Sequence, residues 1–172
     1  MLEEWCWDTS VLGRFARHQQ TGDPIPADLV ARMRAADEFG KGLRVRQQMY
    51  YAAVSLELHA ADPRALDATE TAARLQEALT PFRYVPETYF QESFGHVESY
   101  SALYYTYMWS LVIAKDLFTV FRRDGLMNPA AAARYRRAVL EPGGSAPAAE
   151  LVRRFLGREY DFAAYEEWLN AS

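Results

Sequence analysis

Apolar residues recur at helical spacing along most of the chain, and turn residues separate the apolar segments from one another. The strongest of these patterns covers residues 43–59 and predicts an amphipathic helix. Its apolar side is expected to carry four residues: Met49, Ala53, Leu56 and Ala60. The pattern as a whole predicts an all-α fold, in which residues 1–172 form a single helical domain.

Capping and turn residues set the expected helix boundaries. Asp67 is expected to cap a helix that ends near Leu79, and Asn128 to open one that reaches about Leu140. The longest helix is expected at residues 96–124, closed by Gly125. The remaining helices are expected at about residues 1–7, 9–18, 26–39, 145–157 and 161–169.

The segment 81–93 interrupts the helical pattern. It contains two prolines and four aromatic residues, and it shows neither the helical nor the strand period. Because an aromatic loop of this length is uncommon as a bare connector, we expect it to have a functional role.

The segment FGHVESYSALYYTYMW, residues 94–109, contains the main candidate site. Read as a helix, it places His96, Tyr100, Tyr104 and Tyr107 at i, i+4, i+8 and i+11, on one face, with Tyr105 on the opposite side. One imidazole and three phenols can donate hydrogen bonds to a carbonyl or an oxyanion. The alternative is that these tyrosines are half-buried core residues whose hydroxyls reach the surface.

Composition and charge narrow the classes of function. The 19 Lys and Arg against 23 Asp and Glu give a net charge of −4, which does not favour nucleic-acid binding. No apolar run is long enough to span a membrane, and the N-terminus lacks the basic region of a signal peptide. The single cysteine, Cys6, excludes an internal disulfide and is expected to be a small buried residue. These features predict a cytoplasmic protein with neither nucleic acid nor membrane as partner.

The sequence lacks the HExxH, CxxC, Walker and GxSxG motifs. Glu92 and His96 are four residues apart and could share a metal on one helix, but Gly95 argues against that helix, and two ligands rarely hold zinc. We therefore expect no metal bound by this chain. Three aromatic residues at helical spacing are expected in the core: Trp109, Phe118 and Phe121.

The segment GHVESYSALYYTYMWSLVIAKDLF, residues 95–118, resembles the C-terminal signature of the M3 family of zinc metallo-oligopeptidases, in which a histidine and a Gly-Tyr precede a YYxYxW motif. MLEEW at residues 1–5, RFARHQQTGDPIPADLVARM at 14–33 and GREYDFAAYEEWL at 157–169 resemble other parts of the same family, in the same order. One departure is Ser99, which stands before Tyr100 where the family commonly has glycine.

The resemblance implies the C-terminal portion of a catalytic domain that cleaves short peptides. It implies that Tyr107 and Tyr104 contact the substrate backbone and the tetrahedral intermediate, and that Tyr100 and His96 face the cleft. The catalytic residues would then be Tyr107, Tyr100 and His96, and the substrate-binding residues Tyr104, Tyr107 and His96. The zinc ligands of the family lie upstream of the position of Met1, so zinc is expected in the intact enzyme, and this chain alone is expected to be inactive.

Two other interpretations stay open at this point. The chain could be a non-catalytic helical module that binds a ligand or another protein, or one subunit of a split peptidase completed by a separate HExxH chain. A first helix without a capping residue indicates a piece of a longer protein, whose missing N-terminal half would be its partner. An apolar edge of Met1, Leu2, Trp5 and Trp7 would then be exposed and would favour self-association.

Overall fold

The computed structural model describes residues 1–171 and confirms the all-α fold. Within these residues the β-type pairing is one isolated bridge between Arg17 and Pro24. The α-helices are α1 (Thr9–Leu12), α2 (Ala27–Glu38), α3 (Lys41–Ala60), α4 (Ala68–Leu79), α5 (Phe90–Ser93), α6 (His96–Tyr100), α7 (Thr106–Asp124), α8 (Pro129–Tyr135), α9 (Ala148–Leu156) and α10 (Ala163–Asn170). Short 3₁₀ helices cover Leu2–Trp7, Leu103–Tyr105 and Gly143–Ser145, and one π-helical turn covers Arg136–Leu140.

The predicted caps are confirmed where the side chain bonds to backbone close by. The Asp67 carboxylate accepts the backbone N–H of Glu70 at 2.9 Å, at the start of α4. Asn128 accepts the N–H groups of Ala130 and Ala131 at the start of α8. Such bonds satisfy donors that a helix cannot pair internally, so the sequence alone can locate them. The helix expected at residues 9–18 is shorter than predicted, because α1 ends at Leu12, just before Gly13.

The chain forms two compact units. The first combines Met1–Phe39 with the residues from Leu111 onward, and the second is Gly40–Ser110. The expectation of a single domain over residues 1–172 stays a prediction.

Aromatic residues form the core of the first unit. Phe118 and Phe121 of α7 are buried, as predicted, and both lie edge-on to the ring of Trp5, at 4.9 and 4.7 Å between ring centroids. The indole nitrogen of Trp5 also donates to the carbonyl of Leu126 at 2.8 Å. The expected exposure of Trp5 is therefore wrong, because this ring packs into the core, although Leu2 is exposed.

Two further expectations in the first unit and the adjoining helix are corrected. Cys6 is exposed, whereas the neighbouring Trp5 packs against the core. Trp109, near the start of α7, is also exposed. Self-association through the N-terminal edge stays a prediction, with less apolar surface to support it.

The second unit is built on α3 and α4. Its buried cluster contains Tyr50, Val54 and Leu75, together with Phe94 and Tyr104 from the following segment. The predicted apolar side of α3 is wrong, because Met49 and Leu56 are both exposed. Residues 49–54 are apolar without interruption, so helical spacing could not distinguish one face of α3 from another.

The continuous helix expected at residues 96–124 is also wrong. Helix α6 ends at Tyr100, a turn and a short 3₁₀ helix follow, and α7 begins at Thr106. In residues 1–171 we find no helix that is both long enough and apolar enough to cross a membrane.

Candidate functional site

The four predicted site residues lie together in the second unit. The centroid of the His96 ring is 5.7 Å from that of Tyr100, 5.0 Å from that of Tyr104 and 5.9 Å from that of Tyr107. Tyr104 and Tyr107 are 4.9 Å apart. The cluster of these four residues, called the His–Tyr cluster below, was predicted from the sequence, but it assembles by a different route.

A turn, rather than a helix face, assembles the cluster. A continuous helix rises about 1.5 Å per residue, so it would place His96 roughly 16 Å along its axis from Tyr107. The backbone instead turns at Ser101 (φ 50°, ψ −128°) and Ala102 (φ −81°, ψ 13°). These are the angles of the two central residues of a type II′ turn, which reverses the chain and brings α6 back onto the residues that follow it.

Ser101 occupies a conformation that favours glycine. The first central position of a type II′ turn has positive φ and is dominated by glycine, because a Cβ atom is strained there. A non-glycine residue in such a region costs about 1–3 kcal/mol and persists only where the surroundings hold it. The turn at Ser101 is therefore held by contacts from elsewhere in the second unit.

Those contacts come from α3. Ser55 is fully buried, and its hydroxyl donates a hydrogen bond of 2.6 Å to the backbone carbonyl of Ser101. Sequence reasoning missed both residues. The signal that was present is the pair of serines on either side of Tyr100, since serine in a helix interior competes with the backbone hydrogen bonds.

The tyrosines of the cluster differ in exposure. Tyr104 is buried at 9% exposure and contacts Phe94 and Tyr51, whereas Tyr100 is 59% and Tyr107 53% exposed. The interpretation of these residues as core tyrosines therefore fits Tyr104 and not the other two. Tyr104 anchors the cluster, and Tyr100 and Tyr107 present their phenols to solvent.

Protonation keeps Tyr104 a hydrogen-bond donor. Burial raises the pKa of its phenol above the usual value, although a hydrogen bond with Gln48 opposes the rise. The phenol is therefore neutral at physiological pH and carries a proton that it can donate without adding charge.

His96 and Tyr107 contact each other through polar atoms. The His96 Nε2 atom lies 3.3 Å from the Tyr107 hydroxyl oxygen. In one imidazole tautomer the hydroxyl donates to Nε2, and in the other Nε2–H donates to the hydroxyl. The pair can thus present either a free phenol proton or a free phenol oxygen to a molecule bound over it.

Phe90 and Phe94, at the end of the segment 81–93 and just after it, pack beside the cluster. Phe94 lies 5.5 Å from the His96 ring and 5.2 Å from the Tyr104 ring. Phe90, on α5, stacks on Tyr51 at 5.0 Å. The last residues of the segment 81–93 therefore form a short helix that packs against α3, and the expectation of an irregular loop is wrong for Phe90–Ser93.

Residues 1–171 contain no group of three or more His, Cys, Asp or Glu side chains that could hold a metal ion. Glu92 belongs to α5 and His96 to α6, so the two do not share a helix. The described residues therefore do not fit a zinc site of three protein ligands.

Comparison with known proteins adds the family. Residues 1–171 match the model of peptidase family M3. The chain is 30% identical to oligopeptidase A of Escherichia coli (strain K12) over 162 residues, which cover 92% of the chain and 24% of that protein. It is 32% identical to mitochondrial intermediate peptidase of Mus musculus over 144 residues (84% of the chain, 20% of that protein). It is 32% identical to thimet-like oligopeptidase of Dictyostelium discoideum over 174 residues (96% and 25%). The chain therefore spans between a fifth and a quarter of the length of these relatives.

Proposed function

Because the family match covers residues 1–171, the chain belongs to peptidase family M3, and we propose that it forms the C-terminal part of the catalytic domain of a zinc-dependent oligopeptidase that cleaves short peptides. The names of its relatives support a peptidase activity for the whole protein. The observation that carries the proposal for this chain is the His–Tyr cluster, in which exposed Tyr107 lies beside His96.

In this proposal Tyr107 is the principal donor to the reacting carbonyl. Attack on a peptide carbonyl places negative charge on its oxygen, and a fixed hydrogen-bond donor stabilises that charge in the transition state. A phenol supplies the donor and stays neutral at physiological pH. The 53% exposure of Tyr107 supports this role, because a bound peptide can reach its hydroxyl.

The other cluster residues have supporting roles. His96 contacts the Tyr107 hydroxyl, and when its Nε2–H donates to the hydroxyl oxygen, the phenol proton is free to point towards substrate. Exposed Tyr100 contacts the substrate backbone beside it. Tyr104, which is buried, holds the rings of His96 and Tyr107 in place, and its contact with substrate is limited to the small exposed part of its side chain.

Zinc belongs to the intact enzyme in this proposal. Because residues 1–171 do not fit a zinc site, the ion would be held by the missing N-terminal part of the catalytic domain, which is the expected partner of this chain. We further propose that the intact enzyme is cytoplasmic.

The test is a hydrolysis assay on a fusion protein, called the joined enzyme below. The chain is fused to the zinc-binding part of a relative such as oligopeptidase A, replacing the matching segment, and hydrolysis of a quenched fluorogenic oligopeptide is measured. We expect zinc-dependent hydrolysis, and a large loss when Tyr100 and Tyr107 are both changed to phenylalanine. Peptide binding without hydrolysis by the joined enzyme at full zinc occupancy would favour the non-catalytic module. Equal activity when the two parts are mixed as separate chains would favour a split peptidase.

A further inference from the structure

We propose that Ser55 is a positioning residue for the His–Tyr cluster, acting through the turn at Ser101 to set the distance between His96 and Tyr107. This inference rests on the proposed function, because the distance matters for catalysis only if Tyr107 contacts substrate. The observations behind the proposal are one hydrogen bond, from Ser55 to the carbonyl of Ser101, and the positive φ of Ser101.

The hydroxyl of Ser55 has one partner in the described structure, and that partner is the turn. The side chain is fully buried on α3, where a hydroxyl without a hydrogen bond would be costly. It donates at 2.6 Å to the carbonyl of Ser101, 46 residues further along the chain.

The turn needs this bond for two reasons. The carbonyl of the first central residue of a β-turn takes no part in the turn's own hydrogen bond, so it needs another donor when it faces the interior. Ser101 also has positive φ without being glycine, so its conformation is unfavourable unless neighbouring contacts hold it. The Ser55 hydroxyl meets both needs at the same atom.

The turn at Ser101 sets the relative positions of the cluster residues. His96 and Tyr100 precede it on α6, and Tyr104 and Tyr107 follow it. If the turn opens, α6 no longer folds back, and His96 moves away from Tyr107. Among the described residues the hydroxyl of Ser55 bonds to Ser101 and to neither residue of the pair, so its effect passes through the backbone of the turn.

The first test measures geometry in the 172-residue chain by NMR. Nuclear Overhauser effects (NOEs) between the rings of His96 and Tyr107 report their contact. We expect Ser55→Ala to reduce these NOEs to less than half, relative to those within the core of the first unit. Thr80→Val is the matched control, because it also removes a buried hydroxyl that donates to backbone carbonyls in the second unit, and those carbonyls belong to Gln76 and Phe82 rather than to the turn. It is expected to leave the His96–Tyr107 NOEs unchanged.

A second variant distinguishes positioning from general destabilisation. Glycine adopts positive φ without strain, so Ser101→Gly should restore much of the His96–Tyr107 contact in the Ser55→Ala background. Unchanged NOEs in folded Ser55→Ala, an equal loss in Thr80→Val, or no recovery in the double variant would each overturn the proposal. If Ser55→Ala does not fold, the wild-type chain provides the test. Its Ser55 hydroxyl proton should be protected from exchange with solvent and should show an NOE to the backbone at Ser101 and Ala102, and absence of both would overturn the proposal.

Activity provides the separate measure of the proposed function. In the joined enzyme we expect Ser55→Ala to lower kcat about 10- to 100-fold with KM nearly unchanged, as a misplacement of about 1 Å does at a reacting centre. If Tyr107→Phe leaves kcat unchanged, the proposed function fails whatever Ser55→Ala does. If Tyr107→Phe lowers kcat and Ser55→Ala changes neither kcat nor the NOEs, only the positioning role fails.

Discussion

The Nε2 atom of His96 lies 3.3 Å from the hydroxyl of Tyr107, eleven residues further along, because the chain reverses between them. The contact joins the ends of a segment that contains the whole His–Tyr cluster. The reversal occurs at a single strained residue, Ser101, so the geometry of the pair depends on whether that turn forms.

The first prediction concerns Tyr107 and uses Tyr105 as its control. In the joined enzyme, Tyr107→Phe should lower kcat by about 100- to 1,000-fold with little change in KM, because it removes a donor that acts mainly in the transition state. Tyr105 is comparably exposed, and Tyr105→Phe should leave kcat nearly unchanged. Steady-state kinetics of both variants at equal zinc occupancy make the comparison. Equal losses, or a greater loss from Tyr105→Phe, would mean that the catalytic role of Tyr107 is wrong.

The second prediction is that the 172-residue chain alone does not hydrolyse peptides. The sequence has no HExxH motif, and residues 1–171 contain no group of three His, Cys, Asp or Glu side chains that could hold a zinc ion. Without a bound zinc ion, no water is activated for attack on the peptide. The measurement is incubation with zinc and a fluorogenic oligopeptide. Turnover that a chelator abolishes, and that persists after contaminating proteases are removed, would contradict the prediction.

Local signals made part of this structure predictable. The Asp67 and Asn128 caps bond to backbone within three residues, so their effect is present in any short segment. Phe118 and Phe121 were predicted in the core and are buried there. The membership of the His–Tyr cluster was also predicted, because all four residues lie within a stretch of twelve.

Long-range contacts explain what the sequence could not predict. The turn at Ser101 depends on a hydroxyl 46 residues earlier in the chain, and no pattern around residue 101 reports that partner. The buried face of α3 is set by the elements that pack on it, and the apolar run 49–54 does not reveal which side they cover. Trp5 packs between Phe118 and Phe121, which lie more than a hundred residues away.

The third prediction concerns Tyr50, whose buried hydroxyl has no hydrogen-bond partner in the described structure. Tyr50→Phe should raise the free energy of unfolding at pH 7 by about 1 kcal/mol, because it removes a polar atom that is buried without compensation. Urea denaturation measures the difference. Destabilisation by more than 1 kcal/mol would indicate that the hydroxyl is bound to an ordered water.

The same residue predicts a dependence on alkaline pH. Burial raises the pKa of Tyr50 from about 10 to about 12, so the folded chain holds this proton more tightly than the unfolded chain. This group therefore leaves the free energy of unfolding independent of pH below about pH 10 and lowers it as the pH rises from 10 towards 12, by up to about 1.4 kcal/mol per pH unit. Tyr50→Phe should reduce the slope of the unfolding free energy against pH over that range, whereas Tyr105→Phe should leave the slope unchanged. Parallel pH profiles for wild type and Tyr50→Phe would refute the assignment.

The last prediction concerns the buried carboxylate of Asp116. Its side chain is 1% exposed, and Arg158 binds both of its oxygens, at 2.5 and 2.8 Å, while the backbone N–H of Asp161 donates at 3.0 Å. Arg158→Ala should lower the free energy of unfolding by about 3 kcal/mol, because it leaves a buried charge without its partner. Arg153→Ala is the matched control, since the ion pair of Arg153 with Glu159 is exposed on both sides and should contribute less than about 1 kcal/mol.

A double variant shows whether the loss comes from the unpaired charge. Asp116→Asn removes the charge, so Arg158→Ala should cost much less in that background than in the wild type. Thermal or urea unfolding of the four proteins in this cycle gives the coupling free energy directly. An equal cost of Arg158→Ala in both backgrounds would mean that the arginine stabilises the chain through its other contacts, the Asp161 carboxylate and the Glu159 carbonyl, rather than through Asp116.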